Sequence, residues 1–127
     1  MLRAILAISV GSSLGALLRW VLGTRLNALY PAIPPGTLAA NAIGGFVVGV
    51  AVACFADMRD LPPEWRLFVI TGFCGGLTTF STFSAEVVTL LQQGDVARAA
   101  AAIGLHLAAS FAATLLGIAL WQWIAAH

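Results

Sequence analysis

Side chains able to hold an ion are concentrated in one short stretch of the chain. Residues 72–84 read GFCGGLTTFSTFS, which brings three glycines, a run of hydroxyl residues and a phenylalanine repeat together. Hydroxyls donate hydrogen bonds to an anion, and the edge of a phenyl ring carries partial positive charge. Phe80 and Phe83 are three residues apart and therefore share a face if the segment is helical. The alternative for the two rings is ordinary core packing, which the neighbouring hydroxyls make less convincing.

Other apolar parts of the chain contain further polar residues that are functional candidates. Asn41 can donate two N–H bonds, either to an anion or across a helix interface. Glu86 could bind a proton or cation, orient hydroxyl protons, or reach interfacial water. Ser110 and Thr114 lie one helical turn apart and could extend a polar line. For His106, one turn before them, we expect a satisfied packing or interfacial role.

The glycines of the same stretch predict a different feature, a break in the helix. Glycine costs about 1 kcal/mol in a helix interior, and unpaired backbone groups are tolerated at membrane depth only when protein shields them or a cavity receives them. If the backbone unwinds between Gly72 and Thr79, its carbonyls can coordinate a cation. Oxygen ligands suit a hard alkali ion, and the sequence offers no His, Cys and carboxylate cluster typical of a transition metal.

The elements that position these residues follow from composition. The chain has 127 residues, of which 61% are hydrophobic and 9% charged, and its mean hydropathy is +0.98. Such values exclude an ordinary soluble domain and indicate an integral membrane protein. We predict an all-α fold with one domain, residues 1–127, and four transmembrane helices at about 4–28, 37–56, 65–91 and 97–124.

Several other classes of protein are disfavoured. The first apolar stretch continues without a small-residue cleavage site, so we expect no cleaved signal peptide. Cys54 and Cys74 both lie in apolar segments and are expected to be buried thiols rather than a disulfide. The net charge of +1 and the absence of a basic tract argue against a nucleic-acid partner.

The distribution of arginine predicts how the helices insert. An even number of spans places both termini on one face of the membrane. The arginines of that face are Arg3, Arg59 and Arg66, and those of the other are Arg25, Arg98 and, if it lies toward that end, Arg19. The charge bias that normally fixes orientation is almost missing, which favours insertion in both orientations and pairing as an antiparallel homodimer. A bundle of four helices is also too small to enclose a pore alone, so a transport path would need two subunits.

Taken together, the motifs resemble the Fluc (CrcB) family of fluoride channels. The resemblance rests on the 72–84 stretch followed by Glu86, on Gly36-Thr37-Leu38 with Asn41 and Gly44, and on Gly15-Ala16 with Arg19. It covers the whole chain in length and in its four-span layout. The motif in the third span is the most specific part of the match.

The resemblance implies a dual-topology antiparallel homodimer in the bacterial cytoplasmic (inner) membrane, with two fluoride pores and a central structural sodium ion. It implies passive export of F⁻, which relieves fluoride toxicity, and no enzymatic activity. Arg19 would line a vestibule, and Gly75 and Thr78 would bind Na⁺ through backbone carbonyls. The residues implied for the pores are Asn41, Phe80, Phe83, Ser81, Thr82, Glu86, Ser110 and Thr114.

Two rival functions stand beside this one. A small proton-coupled multidrug exporter also has four spans, but such exporters resemble one another in a membrane-embedded Glu in the first helix. Here the first span has no acidic residue, and Glu86 lies late in the third. The second rival is a structural or assembly subunit without transport activity, against which the hydroxyl and aromatic segment argues.

Overall fold

The computed structural model describes residues 1–127, and every regular element in it is helical. The helices are α1 (Leu2–Leu26), a 3₁₀ turn (Asn27–Leu29), α2 (Pro35–Asp57), α3 (Pro63–Arg66), a π-helical segment (Leu67–Cys74), α4 (Gly75–Leu77), α5 (Phe80–Gln92) and α6 (Val96–Ala125).

Together these elements form four spans long and apolar enough to cross a membrane. The spans are Leu2–Leu29, Pro35–Asp57, Pro63–Gln92 and Val96–Ala125. The shortest has 23 residues, and at about 1.5 Å per residue it exceeds the roughly 30 Å hydrocarbon core of a bilayer. The prediction of an all-α protein with four helical spans able to cross a membrane is confirmed, and each predicted span lies within one of these four spans.

The second and fourth spans begin at identifiable caps. Asn27, in the 3₁₀ turn after α1, accepts hydrogen bonds at Oδ1 from the backbone N–H of Gly36 (2.8 Å) and Thr37 (3.3 Å). These donors have no partner within α2, so the side chain of Asn27 takes the place of a residue at the helix start. At α6, Asp95 accepts from the Arg98 N–H at 3.0 Å. Gly94 supplies the left-handed turn before it, with φ of 77°.

The third span is interrupted at two residues, Thr78 and Thr79. The backbone is helical through Leu77, then extended at Thr78 (φ −78°, ψ 153°) and Thr79 (φ −150°, ψ 108°), and helical again from Phe80. Of the region Gly72–Thr79 in which unwinding is predicted, only the last two residues are extended, because the glycines of this stretch remain helical. The interruption follows them instead.

These glycines permit close contact between helices. A Cβ on Gly76 would collide with the Ser12 carbonyl oxygen, and one on Gly15 would collide with that of Phe73. On the other side of the molecule, Gly49 and Gly117 are packed against the backbones of α6 and α2 in the same way. Small residues bring membrane helices close enough for extensive van der Waals contact, and this packing fixes the third span against α1.

Most of the apolar surface faces outward. Only 18 of the 127 residues are buried, and the one cluster of buried apolar side chains consists of Val87, Leu90, Ala99 and Ala102. A soluble protein could not expose so many large apolar side chains, whereas lipid or another apolar surface covers them without cost. The exterior therefore agrees with a multi-pass membrane protein.

The glycine packing generates a prediction within a single helix. Gly15→Ala should lower the free energy of unfolding by about 1–3 kcal/mol, since the added methyl has no space against the third span. Gly23→Ala is the matched control, because its Cβ would meet only the Asn27 side chain at an ordinary 3.5 Å. Thermal unfolding of both variants in detergent tests this, and equal unfolding midpoints would refute the packing role of Gly15.

Candidate functional site

The interrupted backbone at Thr79 is held by one side chain of α2. Asn41 accepts from the Thr79 N–H at Oδ1 (2.7 Å) and donates from Nδ2 to the Thr79 carbonyl (3.2 Å). The amide therefore pairs with both backbone groups of a residue that has left the helix. Because Thr79 is only 6% exposed, these groups would otherwise be buried without hydrogen-bond partners. Of the two roles considered for Asn41, the structure contains the interhelical hydrogen bond.

The same amide also contacts a histidine of α6. Nδ2 of Asn41 lies 3.3 Å from Nδ1 of His106, and the His106 ring is 4.4 Å from the Phe83 ring between centroids. His106 is buried, and its Nε2 has no hydrogen-bond partner in the protein. If Asn41 donates, Nδ1 is the acceptor and the ring proton sits on Nε2. The expectation of a satisfied packing histidine is therefore wrong at Nε2, although the ring is packed.

The hydroxyl residues form a short hydrogen-bonded chain at the start of α5. The Thr79 hydroxyl donates to the Thr82 hydroxyl at 2.9 Å, lies 3.3 Å from that of Ser81, and accepts from the Thr82 N–H. One turn further, Thr37 of α2 donates from its hydroxyl to Oε1 of Glu86 at 2.6 Å. Glu86 thus has a hydrogen-bond partner that the sequence did not assign to it.

Backbone carbonyls near the interruption lose their usual donors. In a continuous α-helix the N–H of Thr79 would bond to the Gly75 carbonyl, and that of Thr82 to the Thr78 carbonyl. Here the first donates to Asn41 Oδ1 and the second to the Thr79 hydroxyl. Carbonyl oxygens released in this way are suitable ligands for a hard cation.

An open cleft of about 450 Å³ lies beside the interruption, and we call it the central cleft. It brings together several predicted site residues, but no carboxylate, lysine or arginine lines it. The predicted residues in its wall are Asn41, Gly75, Thr78, Phe80, Phe83 and Ser110.

A second cavity, of about 470 Å³, is called here the arginine cavity. Arg19 lines it together with Thr37 and Thr82. Thr79 lines both this cavity and the central cleft. Thr79 therefore contacts a space without charged side chains and a space that contains a guanidinium group.

The remaining predicted residues lie elsewhere. Glu86 and Thr82 line a smaller cavity of about 300 Å³ near Arg98. Thr114 donates its hydroxyl to the Ser110 carbonyl at 2.9 Å, so this hydroxyl bonds to its own helix. The predicted polar line is therefore not gathered in one place: Ser110 lines the central cleft, Thr82 and Glu86 line other cavities, and Ser81 and Thr114 line none of the three.

The two phenylalanines form an edge-on pair that is half covered. Their ring centroids are 5.7 Å apart with an interplanar angle of 63°. Phe83 packs against His106, whereas Phe80 is 79% exposed. Within one chain, then, Phe80 lines the central cleft without another element of the chain covering its ring.

Sequence reasoning missed two contributors to this site. The role of Asn27 could not be predicted, because asparagine is common in connecting segments and only the structure shows that its side chain caps the start of α2. The link between Thr37 and Glu86 joins residues 49 positions apart. Only the packing of α2 against α5 reveals it, and a single sequence does not contain that information.

Comparison with known proteins places the chain among related sequences. A family model described as CrcB-like protein, Camphor Resistance (CrcB), matches residues 6–118. The chain is 64% identical over 124 residues to the fluoride-specific ion channel FluC of Chromobacterium violaceum, covering 98% of each sequence. It is 63% identical over 123 residues to FluC of Nitrosomonas europaea, covering 97% of each. Over 124 residues it is 60% identical to FluC of Pseudomonas paraeruginosa, with 98% of each covered.

The pairing of Asn41 with Thr79 predicts a local effect of mutation. Asn41→Ala leaves two buried backbone groups unpaired, at a cost of about 1–3 kcal/mol for each. Hydrogen exchange at the Thr79 amide should therefore become faster. Thr114→Val is the control, since it removes a hydroxyl that bonds only to its own helix. If exchange at Thr79 were unchanged in Asn41→Ala, the pairing would not hold the interruption.

Proposed function

This chain belongs to the CrcB family, and we propose that it is a fluoride-selective ion channel through which F⁻ leaves the cytoplasm passively. The observation that carries the proposal is similarity over nearly the whole chain to proteins named fluoride-specific ion channels, at 56–64% identity. The family model supports it by matching residues 6–118. Such a protein transports an ion and is not an enzyme, and it relieves fluoride toxicity.

The chemistry of the central cleft supports a small anion as the permeant ion. Fluoride is strongly hydrated, so it enters a narrow path only if donors replace its water. Ser110 offers a hydroxyl, Asn41 an amide, and Phe80 and Phe83 their ring edges. Each contact is moderate, and no fixed cation lines the cleft to hold the ion. Conduction requires such weak binding.

Asn41 would serve the passing ion by exchanging one partner. The distance from Asn41 Nδ2 to His106 Nδ1 is 3.3 Å, which is the longest of the three hydrogen bonds of this amide. A fluoride in the cleft would accept this N–H in place of the imidazole nitrogen. The two bonds to Thr79 would remain, so the backbone interruption would persist during permeation.

The polar residues outside the cleft would serve the approach to it. Arg19 would raise the local anion concentration in the arginine cavity. The hydroxyls of Ser81 and Thr82, the latter bonded to Thr79, would offer donors to an ion leaving that cavity. Glu86 would orient the Thr37 hydroxyl. Thr114 would contribute only by turning its hydroxyl away from the Ser110 carbonyl.

Two subunits would complete the path. The central cleft is open on one side, and Phe80 there is 79% exposed. A second copy packed on this face would enclose both. Because the arginines divide almost equally between the two ends of the bundle, opposite insertion costs little. An antiparallel homodimer in the cytoplasmic (inner) membrane follows as the proposed assembly.

A sodium ion would hold the centre of that dimer. The Gly75 and Thr78 carbonyls face a region where their α-helical donors bond elsewhere, and both residues line the central cleft. Oxygen ligands from backbone suit Na⁺, which would supply a fixed positive charge and link the subunits. Two carbonyls from each chain would make four ligands.

A proton-coupled drug exporter is not favoured by the same observations. Glu86 accepts a hydrogen bond from the Thr37 hydroxyl and belongs to α5 in the third span rather than to the first span. The first span, Leu2–Leu29, contains no acidic residue that could exchange a proton for a cationic drug.

Fluoride efflux from liposomes tests the proposal directly. Purified protein should release fluoride to an electrode when a potassium ionophore balances charge. Phe80→Ile and Phe83→Ile should slow this release about two- to tenfold, the effect of losing one aromatic edge contact. Phe111→Ile is the matched control, since this ring is 66% exposed and lines neither the central cleft nor the arginine cavity.

Three results would contradict the proposal. Release of no halide at all by the wild-type protein would leave the structural subunit as the surviving rival. A pH gradient that drives uptake of a cationic drug would favour the exporter. Normal efflux in both Phe variants would remove the aromatic edges from the permeation path.

Removal of sodium tests the metal site separately. Exchange of all Na⁺ for N-methyl-D-glucamine should abolish efflux and weaken the dimer, because the carbonyls of Gly75 and Thr78 would then face each other without a cation. Returning Na⁺ should restore both. Efflux by sodium-free protein at the full rate would exclude the structural ion while leaving the fluoride channel intact.

A further inference from the structure

A pocket lined by two arginines lies where α2 ends and the third span begins. Here a cavity of about 330 Å³ is lined by Arg59 and Arg66 together with the apolar side chains of Phe55, Met58 and Leu61. We call it the Arg59/Arg66 pocket. It shares no lining residue with the central cleft or the arginine cavity.

The two arginines in this pocket lack acidic partners. The one ion pair of the protein joins Arg98 to Asp95, and no acidic side chain lines the pocket. Arg66 is partly oriented, since its guanidinium donates to the Phe55 carbonyl at 3.4 Å and lies 5.7 Å from the centre of the Phe55 ring. Most of the guanidinium donors therefore remain free for a ligand with several acceptor oxygens.

The surrounding residues place the pocket at headgroup depth. Trp65, next to Arg66, is 55% exposed. At the same end of the bundle, Trp121 donates to Asp57 at 2.7 Å, which joins the ends of α2 and α6, and Trp123 is exposed two residues later. Exposed tryptophans concentrate at the boundary between lipid headgroups and acyl chains. A ligand in the pocket would thus meet the bilayer at its phosphate level.

We propose that the Arg59/Arg66 pocket binds the phosphodiester of an anionic phospholipid. The two guanidinium groups would bind phosphate oxygens, which suit the planar fork of arginine. The glycerol and upper acyl chain would lie along Phe55, Met58 and Leu61. A lipid fits this combination of unpaired positive charge and apolar wall better than a free anion does, because a free anion would make no contact with the apolar side chains.

Native mass spectrometry of the delipidated protein in detergent tests this site. The probes are palmitoyl-oleoyl phosphatidylglycerol, the matching phosphatidylcholine, and inorganic phosphate. Wild-type protein should prefer phosphatidylglycerol. Arg59→Gln or Arg66→Gln should weaken its binding about fivefold, and the double variant about thirtyfold, from the usual worth of each basic side chain near an anionic surface.

Arg3→Gln is the matched control, because Arg3 is an exposed arginine outside the pocket. It should bind phosphatidylglycerol as the wild type does, and fluoride efflux should be unchanged in all four variants. If the double variant fails to fold, Arg59→Gln alone decides, since this exposed loop side chain is part of no ion pair. Three results would overturn the proposal: equal binding of both lipids, an equal loss in Arg3→Gln, or full displacement of the lipid by equimolar inorganic phosphate.

Discussion

The pairing of one side-chain amide with one backbone residue determines the rest of the site. Asn41 supplies an acceptor and a donor to Thr79 at the point where the third span leaves the helix. Without it, two buried backbone groups would be left without hydrogen-bond partners. Because the pairing exists, the Thr79 N–H no longer closes the helical turn on Gly75. The interruption, the freed carbonyl and the turn of Phe80 into the cleft all depend on this contact.

Packing of the glycines makes that contact possible. Gly15 and Gly76 allow α1 and the third span to approach until their backbones touch, and Gly49 and Gly117 do the same for α2 and α6. A helix held so closely has little freedom to slide. The third span can therefore present Thr79 to α2 at hydrogen-bonding distance. The distances between the polar groups of the site are fixed because glycines let the surrounding helices pack with their backbones in contact.

Sequence alone predicted the four helices, because their apolar lengths and separating charges leave few other solutions. It also predicted unwinding somewhere between Gly72 and Thr79, whereas the glycines remain helical and only Thr78 and Thr79 are extended. A glycine in a sequence is compatible with either an unwound backbone or a close contact between helices. Only the position of α1 against these glycines shows that the second explanation applies here. The bond between Thr37 and Glu86 could not be predicted, since it depends on how distant helices rotate against each other.

The position of Thr79 in the wall of both large cavities has an electrical consequence. Wherever water fills a recess on either side of a membrane protein, the voltage falls mainly across the dry layer that remains. The central cleft and the arginine cavity are two such recesses, and Thr79 lines both. If water fills them, an anion moving past Thr79 crosses part of the membrane potential there, at about 2.3 kcal/mol per 100 mV of potential crossed. A resting potential that is negative inside the cell would favour the outward direction of that movement.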